Sequence, residues 1–224
     1  IRSKAFDLFP AISIPDLFMK RVEEDGEWTL MDPHEVMNTY GRRIEDSFDV
    51  DFEIFYTDAE KNPKLKLNKT IKAKDLFKTF LKSTVETGMP YVFFRDTVNR
   101  LNPNKHAGSV YSTQLCTEIC QNSSPAKFIE EVIEDGKIVI RYEAGETVTC
   151  NLASVNVAKV NDEKTIAECM DVICRLLDNV ITITKFPIKA AETTALKYRS
   201  IGIGYLGLAE HLATHSMAYD SPEA

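Results

Sequence analysis

Apolar positions recur at helical spacing through the first third of the chain, then give way to β-branched and aromatic runs beyond residue 90. In IPDLFMKRVEEDG, Leu17, Phe18 and Val22 carry the apolar side, Pro15 and Asp16 open the segment and Gly26 closes it, which predicts a helix ending at that glycine. In WTLMDPHEVMNTYG the Asp32-Pro33 pair predicts a turn with a short helix beyond it. Residues 44–62 alternate acidic and aromatic positions and read as helical. KLNKTIKAKDLFKTFLKSTVETG places Leu76, Phe77, Phe80 and Leu81 on one face, the signature of an amphipathic helix.

The later pattern predicts strands. YVFFRDTVN (91–99) is apolar and β-branched, LNPNKHAG is a polar loop, and SVYSTQLCTEI is a second strand. KFIEEVIEDGKIVIRYEAGETVT fits helix or strand, followed by a hairpin-like excursion around Asp135-Gly136 and Gly145. VTCNLASVNVAKV predicts a third buried strand, and residues 162–184 a long helix with Ile166, Met170, Ile173, Leu176 and Leu177 inward. ALKYRSIGIGYLGLAEHLATHSM predicts another helix, with small residues on it. Strands separated by helices favour an α/β architecture with parallel pairing. No internal repeat, low-complexity tract or linker divides the chain, so residues 1–224 read as a single domain.

Composition narrows the function. Of 224 residues, 44% are hydrophobic and 27% charged, a globular rather than a disordered balance. The net charge of −7 carries no basic stripe, which argues against nucleic acid as a partner. No apolar run reaches the roughly 20 residues that span a bilayer, so no membrane role is expected. The N-terminus has no signal-peptide pattern and no initiator Met, and the chain is expected to begin partway along a longer protein. Cysteines stand at 116, 120, 150, 169 and 174, an odd count without CxxC spacing, which argues against a disulfide scaffold. His211 and His215 share a helical face, but no Glu follows His211 to make HExxH, and no metal site is expected.

Gly202, Gly204 and Gly207 spell G-x-G-x-x-G, the phosphate-binding fingerprint of dinucleotide folds. That motif needs a buried strand immediately before it and an acidic residue about 20 positions later. KAAETTALKYRS is polar and helix-prone, so the glycines read as close-packing residues; a dinucleotide-binding oxidoreductase is the alternative they leave.

The stretch YSTQLCTEICQNSSP holds the candidate chemistry. On an extended strand Gln114, Cys116 and Glu118 share one face, with Leu115 and Thr117 on the other. A buried carboxylate without a partner is costly. An amide, a thiol and a carboxylate converging in this way suit nucleophilic or radical cysteine chemistry with a nearby base, or else a satisfied polar cluster.

QLCTEI resembles the N-L-C-x-E segment of the ribonucleotide reductase large, catalytic subunit. IPDLFMKRV with WTLMDPHEV, GMPYVFFRDTVNRLNP, TCNLASVNVAKV and ALKYRSIGIGYLGLAEHLA resemble further segments of that family in the same order, over nearly the whole chain. The resemblance implies part of a ten-stranded α/β barrel built from two five-stranded halves, with an inner finger loop that carries the cysteine at its tip. It implies reduction of a ribonucleoside di- or triphosphate to its 2′-deoxy form. Cys116 would be the thiyl radical that takes the 3′-hydrogen, Glu118 the base for the 3′-OH proton, and Cys150 one half of the dithiol that supplies electrons. Gln114 would bind a sugar hydroxyl where the family usually has Asn, keeping the amide but adding a methylene.

The LCTE form is similar to class I enzymes, which implies no cofactor bound by this chain and a radical supplied by a separate metal-containing small subunit. The other implied partners are a thioredoxin- or glutaredoxin-like reductant, dNTP or ATP effectors in the full protein, and a second copy in a homodimer; the implied location is the cytoplasm. No cysteine precedes Cys116 to pair with Cys150, and the radical-relay tyrosines, the phosphate loop and the C-terminal cysteines of the family are not in this sequence. The expectation is a central fragment that turns over nothing alone. A non-catalytic or split-subunit piece needing a complementary chain is the alternative. Cys120, Cys169 and Cys174 are expected to be packing residues.

Overall fold

The computed structural model describes residues 8–114, 116–160 and 162–224. The chain divides into two compact units, one running to Ser124 and the other from Pro125 to Ala224.

The first unit contains β1 (Ala11–Ile14), α1 (Asp16–Glu23), β2 (Glu27–Met31), α2 (Pro33–Tyr40), a 3-10 turn (Ile44–Asp46), α3 (Asp49–Lys61), β3 (Asn68–Lys72), α4 (Ala73–Thr87), β4 (Tyr91–Phe94) and α5 (Arg95–Leu101). β1 and β4 pair in parallel, Ala11 opposite Tyr91 through Ile14 opposite Phe94. β2 and β3 form an antiparallel ribbon, Glu27 opposite Lys72. α2 starts where the Asp32 side chain accepts the Glu35 N–H at 2.8 Å with Pro33 in the first turn, and stops at Gly41 in the left-handed region.

α3 buries Phe52, Phe55, Tyr56 and Ala59, spaced so that one stripe faces inward. Phe52 and Tyr56 join Ile14, Leu17, Phe18, Trp28 and Ala73 in the main core, against which Leu76, Phe77 and Phe80 of α4 pack. Leu81, expected on the same face, is exposed. Trp28 stacks on Tyr56 at 4.2 Å, and the Tyr56 hydroxyl accepts the Thr29 N–H and donates to the Thr29 carbonyl. Burial pushes the Tyr56 hydroxyl well above its ordinary pKa, so it remains a neutral donor.

Asp96 ties this unit together. It is 1% exposed, and its two carboxylate oxygens accept the N–H groups of Asp16 and Asp49, the first residues of α1 and α3. A carboxylate at two helix N-termini meets their positive ends. Asp16, Asp49 and Asp96 form a tight acidic group, and Arg100 bridges the two partly buried members. Asp96→Asn turns one acceptor oxygen into a donor facing an N–H. It is expected to lower stability by about 2–3 kcal/mol, seen as an earlier denaturant midpoint at unchanged slope.

The second unit contains β5 (Lys127–Glu134), β6 (Lys137–Glu143), β7 (Leu152–Asn156), α6 (Glu163–Ile183), α7 (Lys189–Tyr198), β8 (Gly202–Leu206) and α8 (Leu208–Thr214). β5 and β6 make a hairpin whose turn, Asp135-Gly136, has both residues at positive φ, as a two-residue hairpin turn requires. Its register puts Phe128, Ile133, Ile138, Ile140 and Tyr142 on one exposed face, with Arg141 pairing Glu130 and Glu134 on the other. β7 and β8 pair in parallel, Leu152 opposite Gly202 through Asn156 opposite Leu206.

The architecture is α/β with two parallel strand pairs, as the pattern predicts, and several boundaries move. The strand expected over 91–99 ends at Phe94, because Arg95 and Asp96 begin α5. Residues 109–119 form no strand among the described residues. The single helix expected over 195–217 is a helix, a strand and a helix. β3 occupies the start of what reads as one long helix, and β2 precedes the Asp32-Pro33 turn. In α6, Leu177 and Ile181 are buried while Met170 and Leu176, expected inward, are exposed; in β7 only Val155 is buried. No helix among the described residues is long and apolar enough to cross a membrane.

Candidate active site

Cys116 lies in a loop from Gly108 to Ser124 that is closed by one main-chain bond and several side-chain bonds rather than by a strand ladder. The Ser123 N–H donates to the Ser109 carbonyl at 3.0 Å, and its hydroxyl oxygen accepts the N–H groups of Tyr111 and Ser112 at 3.0 and 3.1 Å. Helix α5 holds the same stem. Asn99 accepts the Val110 N–H at 2.9 Å and donates to its carbonyl at 3.0 Å, copying the two-bond exchange of a strand neighbour. Asn102 donates to the Gly108 carbonyl at 3.1 Å. Gly108 is required there: a Cβ would stand 2.4 Å from the buried Asn122 amide. Tyr111 donates to Asp46 at 3.1 Å and sets its ring edge-on to Phe48.

Beyond the stem the chain turns. The Thr117 N–H donates to the Gln114 carbonyl at 3.1 Å, and Thr117 sits at φ +71°. The Gln114 side-chain oxygen accepts the Ile119 N–H at 2.9 Å, bracing the turn from within. Gln114, Cys116 and Glu118 therefore do not share a strand face; they belong to one turn, which corrects the extended reading. Leu115, expected on the opposite face, lies outside the described residues. Cys116 and Glu118 are exposed. The Gln114 Nε2 donor and the Thr117 hydroxyl are buried with no partner among the described residues. An unmade bond of this kind costs about 1–3 kcal/mol and is relieved by a ligand oxygen.

The thiols differ in setting. Cys120 is half-buried and directed at the Thr117 carbonyl at 3.8 Å. Burial, and then the charge of Glu118, push its pKa up, so Cys120 stays a neutral thiol. Cys169 is half-buried, whereas Cys174, expected in packing, is exposed on α6. Cys150 is exposed on the segment entering β7, in the second unit.

The glycine motif is not a phosphate cradle. α7, not a strand, precedes it, and Gly202 and Gly204 lie inside β8 opposite Leu152 and Ser154. A Cβ at Gly204 would come within 3.1 Å of the Ser154 hydroxyl, so the glycine serves strand packing. Only Gly207, at φ +78°, occupies a strand-to-helix turn.

The residues that hold the cysteine loop, Asn99, Asn102, Asn122 and Ser123, are not singled out by periodicity. The available signal was Asn99 and Asn102 three apart at the end of a helix, facing the loop that follows. What the arrangement offers is an accessible thiol, a carboxylate two residues on and an unused amide donor on a braced turn.

A model of the ribonucleotide reductase barrel domain matches residues 2–224. The chain is 38% identical over 259 residues to the ribonucleoside-diphosphate reductase subunit alpha of Helicobacter pylori (strain J99), covering 99% of this chain and 32% of that protein. It is 40% identical over 230 residues to the subunit alpha of Treponema pallidum, covering 99% and 27%. Against the large subunit of Caenorhabditis elegans it is 34% identical over 227 residues, covering 99% and 26%. The chain thus spans about a third or less of the length of these relatives. On the match of the barrel model to nearly every residue, the chain belongs to the ribonucleotide reductase barrel-domain family.

Proposed function

We propose that this chain supplies the thiol-bearing part of a ribonucleotide reductase large subunit and that the complete subunit converts a ribonucleoside diphosphate to its 2′-deoxy form. The observation that carries the reading is the braced turn, with Cys116 and Glu118 accessible and the Gln114 amide donor unspent. In this reading Cys116, as a thiyl radical, takes the ribose 3′-hydrogen. Glu118 accepts the 3′-OH proton, and the 2′-OH leaves as water. Gln114 Nε2 donates to a sugar hydroxyl while its oxygen stays on Ile119, so the added methylene lets one side chain serve both. Cys150 and a second thiol give two electrons and two protons and become a disulfide. The 3′-hydrogen returns from Cys116. In sum, C2′–OH becomes C2′–H, one water is released and two thiols are oxidised.

The radical would come from a separate metal-containing subunit, and a thioredoxin- or glutaredoxin-like protein would reduce the disulfide. A second copy of the large subunit and nucleotide effectors are the remaining partners of this reading. Residues 1–224 are taken as one part of the larger barrel.

The test is turnover of the complete subunit with a radical-generating subunit and a protein dithiol. Wild type is expected to form 2′-deoxynucleotide, and Cys150→Ser to lose more than about 100-fold in kcat with nucleotide binding intact. Undiminished turnover would remove Cys150 from the electron path, and absence of any deoxynucleotide from the wild-type assembly would overturn the reading.

A further inference from the structure

The segment that carries Cys150 is anchored on both sides although it is neither helix nor strand before Leu152. On one side stands Glu146. Its Oε1 accepts from the Lys197 ammonium and, at 3.0 Å, from the Tyr198 hydroxyl; its Oε2 accepts from the Thr194 hydroxyl at 3.0 Å. Thr194 is 3% exposed, and its oxygen also accepts the Thr147 N–H at 3.0 Å. All three donors lie on α7, spaced to share one side of that helix. On the other side the Asn151 carbonyl accepts the Gly202 N–H at 3.0 Å, and its amide donates to the Leu177 carbonyl at 2.9 Å. Burial alone would raise the Glu146 pKa, but the bonds from Lys197, Tyr198 and Thr194 outweigh it and hold the carboxyl below its usual range.

We infer that Glu146 is a positioning residue for the redox thiol: clamped by α7, it fixes the approach of the chain to Cys150, so that the sulfur is presented in one place for disulfide closure. The inference rests on the proposed role of Cys150. Disulfide geometry tolerates little error, with Cβ atoms about 3.5–4.5 Å apart. Without the Glu146 carboxylate the stretch before Cys150 would keep the Thr147 N–H bond to Thr194 and the Asn151 bonds, and its entry at Glu146 would be free to shift. A carboxylate with three donors is a stiffer anchor than a single neutral bond.

The experiment uses the complete subunit and two readouts. One is the rate of Cys150 disulfide closure on adding diamide, which takes two electrons and two protons from the thiols as its N=N bond becomes a hydrazide. The other is the split between kcat and the nucleotide KM. Glu146→Ala is expected to slow closure and lower kcat about 100-fold, with KM unchanged, the scale of a reacting group displaced by about an ångström. Glu146→Gln keeps an acceptor oxygen and should recover much of the loss. Lys197→Met, at a half-exposed side chain, probes the same clamp without opening the core, so a poorly folding Glu146→Ala does not stall the test. Wild-type closure and kcat in Lys197→Met, and in Glu146→Ala where it folds, would overturn the inference. If the wild-type subunit itself forms no disulfide at Cys150, the role of Cys150 fails instead.

Discussion

Cys116→Ser in the complete subunit is expected to abolish nucleotide reduction, a loss of more than about a thousandfold in kcat, while nucleotide binding stays within a factor of a few. The substitution replaces sulfur by oxygen in a nearly isosteric side chain, so the turn that holds it has no reason to move. Its bracing bonds run through Gln114, Thr117 and Ile119, none of which involves the residue 116 side chain. What changes is the bond to hydrogen. A serine O–H is much stronger than a cysteine S–H, so an oxygen radical neither forms from the same donor nor hands its hydrogen back. The measurement is deoxynucleotide formed per subunit, beside the nucleotide dissociation constant. Residual turnover at even a tenth of wild type would show that another atom starts the reaction; Cys120 is a poor candidate, because burial and Glu118 hold it as a neutral, half-buried thiol.

Glu118→Gln is expected to have the next largest effect, a fall in kcat of about 10²–10⁴-fold with little change in KM. The amide keeps the size and one acceptor oxygen of the carboxylate but cannot take the 3′-OH proton. Since Glu118 is exposed and makes no contact that braces the turn among the described residues, the loss would report chemistry rather than folding. The same substitution removes the charge that helps to raise the Cys120 pKa, so Cys120 should become more reactive toward a thiol reagent as Glu118→Gln becomes less active. Equal kcat in Glu118→Gln and wild type would take the proton-transfer role away from this residue.

Much of the helical half was legible because single faces of α1, α4 and α6 repeat at helical spacing, while α3 showed as acidic positions alternating with aromatic ones. The β2–β3 ribbon was not, since EWTLM runs straight into the Asp32-Pro33 turn and NKTIK is polar and almost wholly exposed. β8 was hidden for the opposite reason. Its glycines argue against a strand by propensity, but pairing with β7 and close approach to Ser154 override that preference. The chemistry of the site showed in residue type, with thiol, carboxylate and amide close together. Its geometry did not. TQLCTEI alternates as a strand does, yet its stem is made by the side chains of Asn99 and Ser123, and a pairing supplied by side chains leaves no period in the sequence.

That side-chain stem bears on hydrogen exchange. The amides of Val110, Tyr111, Ser112 and Ser123 belong to no helix or strand, yet each has a fixed acceptor. Two of those acceptors are the single hydroxyl oxygen of Ser123. These amides should exchange slowly and as one group, because releasing Ser123 frees three of them together. The cysteine loop would then open as a small cooperative unit with its own local stability, set by one serine and two asparagines.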